Sequence, residues 1–201
     1  MTSIFSPLKR LPILLLALFL AGCYLPSRFK VDVWIGPDGS YTMSYVGRLA
    51  DSTLFVGLKE GKIDAATETR KVETLKRDLA RDSGFRAVEY VGEGFFEVRY
   101  EKAGNIIDDK TLTFVNGGSR ILSIAFVGKS NTVTVFAGSV PVNYHDRLNS
   151  LSFPPEGELR VVTGANVLEN NADQVSGEDE KTYLWILRTL DVPAPKIIIG
   201  G

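Results

Sequence analysis

Few side chains in this chain are of a type that does chemistry near neutral pH: one cysteine, Cys23, and one histidine, His145, among 201 residues. A lone thiol excludes a CxxC redox pair and a cysteine-ligated zinc site, and one imidazole cannot supply a histidine-rich metal centre. His145 precedes Asp146, a pairing that general bases use. Adjacent residues on a strand or loop usually point apart, however, and no second cysteine or G-x-S-x-G elbow supplies a nucleophile. His145 is therefore read as a loop or surface histidine. Gly128-Lys129-Ser130 imitates the end of a phosphate-binding loop but lacks the upstream glycine and sits in a turn where a helix should begin. Gly92-Glu93-Gly94 joins two strands and is no better. Asp173, Glu178, Asp179 and Glu180 do not follow EF-hand spacing and read as solvated turn carboxylates. No catalytic residue, metal ligand or cofactor is expected from these patterns, and the chain is read as non-enzymatic.

Cys23 is the exception, because of what precedes it. Lys9 and Arg10 lead into the apolar run Leu11 to Leu20, too short to span a bilayer as a helix, and the small residues Ala21 and Gly22 follow. This order is a secretory presequence ending at a cysteine, and Leu20-Ala21-Gly22-Cys23 resembles the bacterial lipobox. The resemblance implies cleavage between Gly22 and Cys23, an S-diacylglyceryl group on the Cys23 thiol, and N-acylation, often by palmitate, of the new amine. Two or three acyl chains, at about 0.8 kcal/mol per buried CH₂, hold a protein durably on a membrane where one chain would not. Tyr24 stands where aspartate is associated with inner-membrane retention. In a diderm cell this favours the periplasmic face of the outer membrane.

The 179 residues from Cys23 onward suit one domain, and their 21 cations and 24 carboxylates leave a net charge of −3. That balance offers no electrostatic reason to bind nucleic acid. No later apolar run is long enough to cross a membrane. The organisation expected is a signal peptide over 1–22, a lipidated terminus and short linker over 23–28, and one globular α+β domain over 29–201.

Alternation predicts the elements. Phe29, Val31, Val33 and Ile35 share one strand face, and Tyr41, Met43, Tyr45 and Leu49 share another across the Pro37-Asp38-Gly39-Ser40 turn. Trp34, off the aliphatic face, is read as packed beneath a helix. Residues 51–62 fix no period. Asp64 is a plausible N-cap for a helix over 64–82, with Ala66, Val72, Leu75 and Leu79 as its apolar stripe. Its charged side, including Arg70, Lys71 and Asp78, is read as solvated, with Glu73 and Arg77 spaced to pair. Strand patterns follow at 85–91, 95–100, 111–115, 121–127 and 132–136, then at 159–163, 183–187 and 196–199, with polar loops at 102–110 and 169–180. The fold expected is a curved antiparallel sheet of about eight strands with the one main helix on a face, and the last strand at a sheet edge.

From Pro154 to Leu187, the order of Gly157, the run 159–163, Val167, Asn170 or Asn171, Thr182 and Trp185 is similar to the end of the LppM-type bacterial lipoprotein domain. Members of that family also carry a lipobox. The resemblance implies a mixed α/β domain and a role in handling envelope lipid or glycolipid, although this chain lacks the C-terminal membrane helix of mycobacterial members. Two readings stand: a membrane-anchored envelope lipoprotein that binds a lipid or other hydrophobic ligand, and a scaffold lipoprotein that holds another envelope protein. The lipobox reading makes a direct prediction. Radiolabelled palmitate should enter the wild-type chain and not Cys23→Ala, which should also keep its presequence in a mass spectrum. Equal labelling of both would place the acylation elsewhere or nowhere.

Overall fold

The computed structural model describes residues 24–115 and 120–200. The presequence through Gly22, Cys23, the whole predicted Asn116-Gly117-Gly118-Ser119 turn and Gly201 lie outside these residues.

The chain opens with β1 (Tyr24–Ile35), β2 (Ser40–Asp51), α1 (Ser52–Lys59), α2 (Ala65–Leu79), β3 (Phe85–Gly92) and β4 (Phe95–Asn105). A one-turn helix, α3 (Ile106–Asp109), leads to β5 (Thr111–Phe114), β6 (Leu122–Val127) and β7 (Thr132–Ala137). A 3-10 turn (Val142–Tyr144) runs into α4 (His145–Ser150). Five strands complete the chain: β8 (Gly157–Thr163), β9 (Val167–Asn170), β10 (Gln174–Ser176), β11 (Lys181–Leu187) and β12 (Lys196–Gly200).

The fold is mixed α+β, but the single eight-stranded sheet is replaced by two. Seven strands form one sheet in the order β10-β11-β8-β1-β2-β4-β3, and five form another in the order β5-β6-β7-β12-β9. Nor is the larger sheet wholly antiparallel: β8 runs parallel to β1, with Phe29 opposite Gly157 and Ile35 opposite Thr163. Alternation shows which side chains share a face and is silent on which strand lies alongside, so this long-range pairing had no signature. The last strand, β12, lies inside the smaller sheet between β7 and β9, not at its edge. Neighbours on both sides pair the backbone of Ile197 and Ile198.

The presumed linker is also strand. Tyr24, Leu25, Pro26 and Ser27 pair with Asp51, Ala50, Leu49 and Arg48, and a bulge follows between Ser27 and Lys30. Opposite it Gly47 has φ +151°, and a Cβ there would lie 2.5 Å from the Phe29 Cα. Only glycine permits that approach.

The helices follow their caps. Asp64 accepts the Thr67 amide at 2.7 Å, as the sequence predicts. The helix stops at Leu79, short of residue 82: the Arg81 and Asp82 amides close tighter turns onto Asp78 and Leu79, and Asp82 accepts the Gly84 amide at 2.9 Å. Asp51 caps α1 by accepting the Leu54 amide at 2.7 Å, and Leu54 and Phe55 are buried. Eight residues were too few to show a period. Within the predicted loops, the 102–110 segment continues β4 and forms α3, and the acidic 169–180 segment contains the end of β9 and all of β10.

The sheets face each other across one core. Met43, Tyr45, Phe96, Tyr100 and Val161 of the larger sheet pack with Phe114, Ile124, Val135 and Ile197 of the smaller, and α2 adds Val72 and Leu79. Phe114 is fully buried, its ring 4.7 Å from Tyr45, 4.7 Å from Tyr100 and 5.9 Å from Phe85. Phe114→Ala should therefore destabilise the domain by about 3–5 kcal/mol, measured by urea unfolding, against a much smaller cost for Phe114→Leu. A loss under about 1 kcal/mol would mean that the sheets are joined elsewhere.

Candidate functional site

The smaller sheet covers only part of the inner face of the larger one, and α2 covers another part. Between them lies a cleft of about 1360 Å³, larger than the roughly 300–1,000 Å³ of a small-molecule pocket. Its walls differ in chemistry. On α2, Thr67, Lys71, Thr74 and Asp78 recur at helical spacing and line the cleft with Arg70 and Arg81. The floor carries Tyr24, Tyr41, Phe85 and Tyr100, with Leu75, Leu79, Leu112 and Val115 adding apolar surface. Opposite α2 runs β5, the edge strand of the smaller sheet.

The ladder register fixes which way the β5 backbone points. Lys110 accepts the Phe126 amide at 2.9 Å, so the hydrogen-bonded pairs fall at Leu112 with Ile124 and at Phe114 with Leu122. The peptide groups of Thr111 and Thr113 then point outward, and they have no backbone partner among the described residues.

Charges along the cleft are mostly matched. Arg81 reaches Asp78 at 3.3 Å and Lys102 reaches Asp82 at 3.9 Å. Arg70 instead donates to the Thr67 hydroxyl at 3.2 Å, and neither it nor Lys71 has a carboxylate within ion-pair distance among the described residues. Asp51 is 4 % exposed. Burial raises its pKa, opposed by the Leu54 amide and by Lys71. Tyr41 donates to Asp109 at 2.9 Å, and burial followed by that carboxylate pushes it up to about 12. Tyr100 donates to Asp82 at 3.2 Å and is raised by burial first and Asp82 second. Among the described residues the buried Tyr24 hydroxyl has no hydrogen-bond partner, and burial, then Asp51 and Asp78, raise its pKa. Neutral phenols, threonine hydroxyls and two cations over an aromatic and leucine floor suit a ligand with a polar head and an apolar body.

The residues singled out from sequence lie mostly elsewhere. Trp34 is half-buried on the opposite face of the larger sheet, not beneath a helix, and donates its indole N–H to Glu180 at 3.1 Å. Asp173 accepts the Ile186 amide at 2.7 Å, while Glu178 and Asp179 are exposed. Gly92 to Gly94 form the β3–β4 turn and Gly128 to Ser130 the β6–β7 turn. Asn171 accepts from the Trp185 indole at 2.9 Å and from the Lys196 amide at 2.8 Å, tying the two sheets together. Among the described residues no three His, Cys, Asp or Glu side chains gather to hold a metal. The cleft face of α2 is not the solvated face that its charges predict. A sequence shows that Thr67, Lys71, Thr74 and Asp78 share a face but not that a strand edge lies across from it. The expected pair of Glu73 and Arg77 is replaced by bonds from Arg77 to the Glu73 carbonyl at 3.3 Å and the Thr74 hydroxyl at 3.4 Å.

No family model and no curated protein matches the chain. The chain is similar to the folded domain of LppM from Mycobacterium tuberculosis, solved by NMR. That likeness has a TM-score of 0.43 and 17% sequence identity, and covers 92% of this chain and 94% of the LppM domain. No helix among the described residues is long and apolar enough to cross a membrane.

His145 is not a surface residue. It is 7 % exposed, with Nδ1 2.8 Å from the Asp191 carboxylate and Nε2 2.8 Å from the Val140 carbonyl. Both partners only accept, so the doubly protonated ring satisfies both. The Val140 carbonyl first and the Asp191 carboxylate second raise its pKa. The stability this adds is complete below the unfolded value of about 6.5 and is lost as pH rises through the raised folded value. The melting temperature should thus fall more steeply with pH, from about pH 6.5 upward, for the wild type than for His145→Gln. Parallel curves would show that the ring is neutral in the fold.

Proposed function

We propose that the protein is a non-enzymatic, lipid-anchored lipoprotein of the bacterial envelope whose cleft holds a lipid or glycolipid. One observation carries this reading: Tyr24 lines the cleft. Cys23 is the adjacent residue, so acyl chains on it would set one mouth of the cleft at the bilayer surface. A lipid could then pass between membrane and cleft without crossing open water. The chemistry of the lining agrees, with Arg70 and Lys71 placed for a head group and Leu75, Leu79, Phe85 and Leu112 for apolar chains.

A second reading rests on β5. The outward peptide groups of Thr111 and Thr113 lie along the same cleft, where an extended segment of another envelope protein could add a strand. Both readings are tested with the 24–201 chain, exported behind a non-lipoprotein signal and purified without detergent. A lipid recovered at stoichiometric amount by mass spectrometry of its organic extract is the expected result, and it cannot derive from the anchor. An empty domain that crosslinks in cells through position 111 to one recurrent protein would replace the carrier by the scaffold.

A further inference from the structure

The stretch Gly138 to Tyr144 carries no charge and forms the exposed connection between β7 and α4. Its tip is apolar: Val142 is 79 % exposed and Tyr144 is 42 % exposed. Isolated exposed apolar residues are ordinary, but this tip is held in place. Pro141 fixes the entry at φ −60°. Val140 anchors one flank through its bond to His145, and Leu148 of α4 is buried on the other. A turn fixed so as to keep a valine and a tyrosine in solvent gains nothing within the domain from that exposure.

Its position suggests what covers it. Val140 and Leu148 pack into a small core with Leu25, Ala50, Phe55, Phe95 and Phe153. That core sits at the end of β1 where the described chain begins. Leu25 is two residues from Cys23, a span of about 7 Å in extended chain. The turn and the anchor position therefore share one end of the molecule. The β6–β7 turn marks the other end: Phe126 bonds Lys110, which follows Asp109, the partner of Tyr41. Tyr41 pairs with Ile35, at the far end of β1 from Tyr24.

We propose that the turn Pro141 to Tyr144 is a membrane-contact site that seats Val142 and Tyr144 in the interfacial layer of the bilayer carrying the anchor. This rests on the anchored reading above. Tyrosine suits the layer because its ring is apolar and its hydroxyl can remain with the head groups. Valine at the tip enters the acyl boundary, as the apolar faces of interfacial segments do. Two contacts, the acyl chains and the turn, restrict how the domain can tilt on its short attachment. Because the stretch is uncharged, its contact should not depend on anionic lipid or on salt.

The test adds a tryptophan at either end of the molecule, Val142→Trp or Val127→Trp, and subtracts the emission of the unsubstituted chain with its Trp34 and Trp185. Val127 is an exposed residue at the opposite end. Each protein is studied on phosphatidylcholine vesicles with and without brominated acyl chains. Two preparations are used: protein extracted from cells with its own N-terminus, and the 23–201 chain coupled through its one thiol to a maleimide lipid. The added emission of Val142→Trp should shift to shorter wavelength and be quenched by the brominated lipid, and that of Val127→Trp should do neither. Equal, unquenched emission from both positions in the coupled form overturns the contact site. Cell-extracted protein that carries no acyl mass and does not float with vesicles overturns the anchor reading instead, and the coupled form still decides the turn.

Discussion

The arrangement of this domain depends on how the small sheet is held against the large one, and Phe114 is the contact at the centre of that packing. Its ring meets Tyr45, Tyr100 and Phe85, which come from three strands of the larger sheet. Phe114 also sits on β5, the edge strand of the smaller sheet. The buried aromatic thus sets where that edge stops over the larger sheet. A shift of the smaller sheet toward α2 would close the cleft, and it would have to break these ring contacts first.

The cleft follows from incomplete coverage. A large twisted sheet presents more apolar surface than five short strands can cover, and α2 takes part of the remainder through Val72 and Leu79. What lies between is lined by groups that tolerate both water and hydrocarbon: phenols held to carboxylates, threonines, and the stems of Arg70 and Lys71. Tyr41 and Tyr100 are oriented by Asp109 and Asp82, while the Tyr24 hydroxyl has no partner among the described residues. A polar group buried without a partner is costly, so the Tyr24 hydroxyl is the position where a bound polar head would gain most.

Ion pairs contribute less to the fold than to its local geometry. Arg147 and Lys62 both reach Glu60 at 2.6 Å, bringing α4 to the end of α1. Exposed pairs of this kind are worth little individually. The His145 clasp is different because its ring is buried and both nitrogens are engaged. It joins α4, the Val140 segment and the chain before β12 at the end of the molecule where the described residues begin.

What the sequence determined was local. Alternation in β1 and β2, the turn at Pro37 to Ser40, the Asp64 cap and the strand pairs around residues 92 and 128 were legible because each depends on residues close together in the chain. The lipobox pattern at Leu20 to Cys23 is legible in the same way, as a short ordered string. What only the tertiary structure decided was partnership: β8 beside β1, β12 inside the second sheet, Trp34 on the face away from the smaller sheet, and His145 buried against Asp191. The cleft belongs to this second kind. Its walls come from α2 and β5, separated by some thirty residues, and from strands whose spacing carries no record of what they face. Side-chain period encodes which residues share a surface, whereas the choice of opposing surface is made by the summed packing of the whole core.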